Sequence, residues 1–281
     1  MRVRHIDFKN DYLGIPQSTA LVFLESSVEK CLMCGSKSEL QNSHAIPDTF
    51  FKRIYRSNAG KAIVVPGGGD EPIHYSSDSW ATNQLCSSCE SLLNVSYEQY
   101  SIKVLRGKGC RIIKHDGGVT FNGITGKTLV SFFISVFWRA ANSKHPNYFK
   151  VMIPEPWNSQ IRSKLISKQK IPANLATVKV SRLIDRTEWF SLTSLKSLII
   201  KPFFRRVAHR RYSFCFIFEG FLIEIFTPGL ALRERFQGGV LGNQTKILSV
   251  PFIDIFDIPE MEEAMVEGYG KYVDGDVTFE N

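Results

Sequence analysis

Nowhere in this 281-residue chain does an apolar run reach the roughly 20 residues needed to span a bilayer; the longest, 129–138, is too short. The opening residues, Met1-Arg-Val-Arg-His-Ile-Asp7, carry no apolar segment of the kind a secretory leader has, so none is expected. Internal repeats and low-complexity tracts are also missing, which excludes a solenoid or a biased linker. The glycine cluster Pro66-Gly-Gly-Gly69 is not followed by Lys-Ser/Thr and a helix, so it is not a phosphate-binding loop. Acidic residues are in deficit, 27 against 35 Lys and Arg, and the resulting charge of +8 favours polyanionic partners, nucleic acid first. A cytoplasmic protein with no membrane partner is expected.

Cysteine is scarce too, six in all, but four of the six fall in two C-x2-C pairs, Cys31-Leu-Met-Cys34 and Cys86-Ser-Ser-Cys89. Two such pairs match the four-thiolate, tetrahedral set of a structural Zn²⁺ site, and without a leader they read as metal ligands in a reducing compartment. Disulfides are the alternative. A closed zinc site does no chemistry; it brings distant segments together. Cys110 and Cys215 are left over, Cys215 within an apolar strand as a small buried hydrophobe. Between the pairs stands Ser43-His-Ala-Ile-Pro47, where His44 is either a catalyst or a hydrogen-bonded residue at a strand end.

With 43% hydrophobic and 22% charged residues, the composition is globular and large enough to bury a core. Strands are predicted at 3–9, 20–25, 40–46, 61–65 and 73–76, with a short helix at 49–56 capped by Asp48. Thr82 or Asn83 caps a helix that carries Cys86 and Cys89 and runs to Tyr100. Glu90, Asn94 and Glu98 recur on one face of it. Residues 107–126 are glycine-rich with short β-like pieces, and 128–141 is too uniformly apolar for a surface helix, so it reads as a buried central one. A boundary is placed near 145, giving domains 1–145 and 146–281. Beyond it come a basic helix (157–169), a strand (176–185), and a long hairpin turning at Glu219-Gly220 whose strands are apolar on both faces. A strand (247–255) and an acidic helix (259–269) complete the chain. Residues 162–211 hold thirteen basic and two acidic side chains, with Phe203, Phe204 and Tyr212 among them.

A C-x2-C pair, a strand ending in histidine, a variable loop and N-x2-C-x2-C resembles the HNH (ββα-metal) nuclease superfamily, over roughly residues 28–100. Ser43-His-Ala-Ile-Pro47 with Leu85-Cys-Ser-Ser-Cys-Glu90 and Tyr97-Glu98 is similar to a prokaryotic branch whose relatives include phage-defence proteins. The resemblance implies a zinc-stapled ββα module; the second half resembles no family, and its pattern reads as a mixed α/β domain with a long antiparallel hairpin, so the whole is expected to be α+β. The resemblance also implies cleavage of phosphodiester bonds in DNA, with His44 as general base and Asn83 orienting it. Glu90 and Asn94, with Glu98 as a further candidate, would bind catalytic Mg²⁺ or Mn²⁺, an all-oxygen set suited to hard cations. Ser43 stands where a metal-binding His or Asp is common, and the helix has no histidine; His74 is a substitute candidate. Lys52, Arg53, Arg56, Arg205, Arg206, Arg210 and Arg211 are the expected nucleic-acid contacts. A homo-oligomer or a partner protein of a defence system is also expected. The alternative is a catalytically inactive zinc module that binds nucleic acid or a partner protein.

Overall fold

The computed structural model describes residues 29–57, 59–64, 72–208, 211–275 and 277–278. The strands expected at 3–9 and 20–25, the glycine cluster at 66–69 and Arg210 lie outside these. In chain order the elements are β1 (Glu29–Lys30), β2 (Lys37–Ser38), β3 (Leu40–His44), α1 (Asp48–Ser57), β4 (Ala62–Val64), β5 (Ile73–Ser76) and β6 (Ala81–Cys86). Next come α2 (Ser87–Leu93), a π-helical turn (Asn94–Glu98), α3 (Gln99–Leu105), β7 (Arg111–His115), β8 (Gly118–Asn122), α4 (Gly126–Ala141) and α5 (Trp157–Ile166). The rest are β9 (Thr177–Ile184), α6 (Leu192–Lys196), β10 (Ile200–Ala208), β11 (Arg211–Phe218), β12 (Phe221–Thr227), β13 (Val240–Leu241), β14 (Ile247–Asp254), α7 (Pro259–Val273) and β15 (Val277–Thr278).

An eight-stranded sheet, ordered β10-β11-β12-β9-β14-β8-β7 with β13 alongside β9, forms the body of this mixed α/β chain. Alternation along β11 sorts its side chains between two cores. Phe214, Phe216 and Phe218 join the core that contains α4, while Cys215 and Ile217 join a second core with Leu195, Ile258 and Met261. The hairpin is therefore covered on both faces, as its doubly apolar strands predict. Helix α4 is buried along nearly its whole length, with the Phe137 ring 5.0 Å from Phe214. Each such fully buried aromatic or aliphatic side chain contributes roughly 1.5–3 kcal/mol.

The boundary expected at 145 is not where the sheet divides. β7 and β8 precede it in sequence, yet β8 pairs with β14 (Leu248 opposite Phe121), so both halves supply one sheet. Their polar, glycine-rich sequence hides this, because β7 is an exposed edge strand with little apolar signal. Strand β10 and helix α6, inside the basic run, were not anticipated. Among the described residues, no helix is long and apolar enough to cross a membrane.

The hairpin turn also ties the sheet to α1. Glu219 and Gly220 both have positive φ (53° and 73°), the conformation of a tight two-residue hairpin turn. Glu219 is 1% exposed, and its carboxylate pairs with Arg53 of α1 and with Arg106, while Arg182 donates to its carbonyl at 3.0 Å. Phe50 of α1 stacks on Phe218 at 5.0 Å beside this cluster.

Candidate metal centre and histidine site

Antiparallel pairing of β3 with β6 brings the two cysteine pairs together: Leu40 lies opposite Cys86, and His44 opposite Ala81 at the far end. The first pair sits in a turn that Gly35 closes at φ +80°, its N–H donating to Cys31 O at 2.9 Å. The Leu32 N–H donates to Gln84 O at 3.1 Å, which sews this turn to β6. The four Sγ atoms of Cys31, Cys34, Cys86 and Cys89 all lie within 4.8 Å of one another. The Cys34–Cys86 separation of 3.8 Å matches the edge, about 3.8 Å, of a tetrahedron with Zn–S bonds of about 2.3 Å. The donor set and its size fit a zinc ion, and these cysteines would hold it. Burial raises the Cys86 thiol, but hydrogen bonds from Ser88 and the Cys89 backbone bring it down to about 6. The Ser36 hydroxyl lowers Cys34, whereas burial pushes Cys89 up. A bound dication would favour the thiolate at all four.

The helix after the second pair begins at Ser87, not at a cap by Thr82 or Asn83, because β6 continues through Cys86 to pair with β3. Asn83 is exposed on β6 opposite Asn42 and makes no side-chain hydrogen bond among the described residues. The group that holds His44 is instead Ser79, whose Oγ is 2.8 Å from His44 Nε2, with Asp48 Oδ1 at 3.8 Å. Burial lowers the His44 pKa more than the Asp48 charge raises it, so the ring is neutral at pH 7. Asp78, next to Ser79, is braced from several sides. Its Oδ2 is 2.9 Å from His145 Nε2, its Oδ1 accepts from Trp80 N, and its carbonyl accepts from Tyr55 Oη. His74 is directed elsewhere, its Nδ1 3.3 Å from Pro72 O.

Glu90 and Glu98 face one common partner, and Asn94 does not join them. The π-helical turn, closed by the Gln99 N–H to Asn94 O, lies between the two glutamates. Glu98 and Glu90 converge on Arg139 of α4: Glu98 Oε1 bonds Nη2, and Glu90 Oε1 is 3.7 Å from Nη1. Asn94 stays exposed. Arg139 is 1% exposed, the one buried charge of α4, and Gln84 Nε2 donates to its carbonyl at 2.9 Å. Burial raises the Glu90 carboxyl against the opposing pull of Arg139 and Ser43. Glu90 Oε2, Gln84 Oε1 and Arg139 Nε are buried without a hydrogen-bond partner. The signal for this cluster was present in the sequence as the one arginine within residues 128–141.

The basic candidates divide. Lys52 pairs with Asp48 on α1, Arg53 with Glu219, Arg205 with Glu260 (Nε to Oε1, 2.9 Å), and Arg211 with Glu234 at 2.7 Å. Arg56 and Arg206 are exposed and form no ion pair among the described residues. No protein family, curated protein or solved structure matches the chain.

Proposed function

We infer that this is a zinc-framed, HNH-type endonuclease that hydrolyses phosphodiester bonds in DNA, with His44 as general base and a role as a phage-defence effector. One observation carries the reading. A half-buried histidine with a lowered pKa stands at the end of β3, on a strand pair closed at its other end by the cysteine tetrad, with Ser79 fixing its Nε2. No partner holds Nδ1 among the described residues, which leaves that nitrogen to take a proton from water. The hydroxide so formed attacks phosphorus, and the 3′ oxygen leaves. Glu90, whose Oε2 has no partner, and the exposed Asn94 are the groups available to hold Mg²⁺ or Mn²⁺. When bound, such an ion would offset charge on the phosphate and the leaving oxygen.

The Arg139 clamp favours a second reading. A guanidinium already balances Glu90 and Glu98, as expected of a zinc module that binds without cutting. Cleavage of plasmid DNA with Mg²⁺ or Mn²⁺ separates the two. Under the nuclease reading His44→Ala lowers the rate by about 10²–10⁴ while zinc content and fold persist. Because the His44 pKa is depressed, the rate also stays high as pH falls below the ordinary imidazole midpoint. Absence of cleavage by the wild type under either metal supports the inactive module.

A further inference from the structure

We propose that the face of the β10–β11 edge is a binding platform for single-stranded nucleic acid, built from Phe204, Tyr212 and Arg206. The sheet ends at β10, and on its inner face Phe137 of α4 meets Phe214 of β11. Phe204, opposite Phe214, and Tyr212 are 48% and 39% exposed, with their rings edge to face at 6.0 Å. Phe204 also packs on Phe214, ring centroids 6.3 Å apart, and the exposed parts of the two rings offer flat surfaces to unpaired bases.

Strand alternation sorts the arginines around these rings. Arg205 and Arg211 point to the opposite face, where Glu260 and Glu234 neutralise them. Arg206 lies directly across from Tyr212 and has no acidic partner among the described residues. The turn at Pro146–Tyr148 packs against β10. The same turn reaches back to the histidine site, since Tyr148 Oη is 3.4 Å from Ile46 N and His145 bonds Asp78. The platform thus adjoins the segment that carries His44. One unpaired cation, Arg206, is too few to track a duplex, whose binders neutralise several phosphates, but suffices where stacking supplies the rest. This charge and aromatic pattern fits a single strand better than a peptide.

The proposal extends the nucleic-acid reading, and its test measures binding alone, so loss of cleavage and loss of the platform are distinguishable. Fluorescence anisotropy in the His44→Ala background would use a labelled oligothymidylate of about 20 nucleotides, the duplex of a mixed sequence, and an oligoglutamate peptide. The single strand should bind most tightly, with a log–log salt slope of about −0.7, as for one cation. Phe204→Ala with Tyr212→Ala should weaken it at least tenfold. Arg206→Gln, which leaves the rings in place, should weaken it severalfold and flatten the slope, with zinc content and circular dichroism unchanged. Preference for the duplex or the peptide, or affinity that neither variant alters, overturns the proposal.

Discussion

Arg139 is the residue on which the N-terminal half turns. A guanidinium that is 1% exposed has lost its water, and only Glu98, Glu90 and the packing of α4 compensate for that loss. Replacing one partner strands the others without a counter-charge, which costs about 3–5 kcal/mol for buried pairs. Arg139→Met should therefore lower the urea midpoint sharply. Arg139→Met combined with Glu98→Gln should recover part of the loss, because no buried carboxylate is then left alone at that position. If the single variant unfolds at the wild-type midpoint, the cluster is not what holds α2, α3 and α4 together.

At the scale of elements, the tetrad makes β3, β6 and α2 one unit. Its ligands come from a turn near residue 31 and a helix start near residue 86, so the ion would close a long loop as well as fill a site. Structural zinc contributes about 10–16 kcal/mol in small domains. Stripping it with a strong chelator should lower the thermal midpoint and release one zinc per chain, read with a colorimetric metal indicator. Cys34→Ser should reproduce the fall without chelator. This unit was legible in sequence because C-x2-C spacing, a strand-ending histidine and a proline stop are local signals. The hairpin at Glu219-Gly220 and the apolar α4 were legible for the same reason. The π-helical turn was not, since its bonding depends on where Glu98 must reach in space. Ser79 was missed as well, because thirty-five residues separate it from the His44 it holds. Strand β10 was obscured by its charges, and the β-like pieces at 107–126 gave no sign of the sheet they join.

Taken as a whole molecule, the sheet and the part framed by the cysteine tetrad are joined through Glu219. Its carboxylate is buried, and the two arginines that reach it come from α1 and from the end of α3. Glu219→Ala leaves Arg53, Arg106 and Arg182 crowded around an uncharged turn. With a cost of several kcal/mol for a broken buried pair, the melting temperature should fall on the order of 10 °C. Arg53→Ala should cost less, because Arg106 remains. Equal stability of Glu219→Ala and wild type by scanning fluorimetry would show that the stacking of Phe50 on Phe218 alone secures the contact.

The position of β14 has a consequence for how the chain is made. β14 lies between β8 and β9, so the centre of the sheet closes only once residues 247–254 exist. About 125 residues separate β8 from that partner, which at ribosomal speeds is roughly 6–25 s of synthesis. For the first part of that interval, until β9 and β12 have been made, α4 lacks the sheet surface that buries it. On the ribosome, α4 is therefore the segment most in need of a chaperone, and in the nascent chain it is where aggregation would begin.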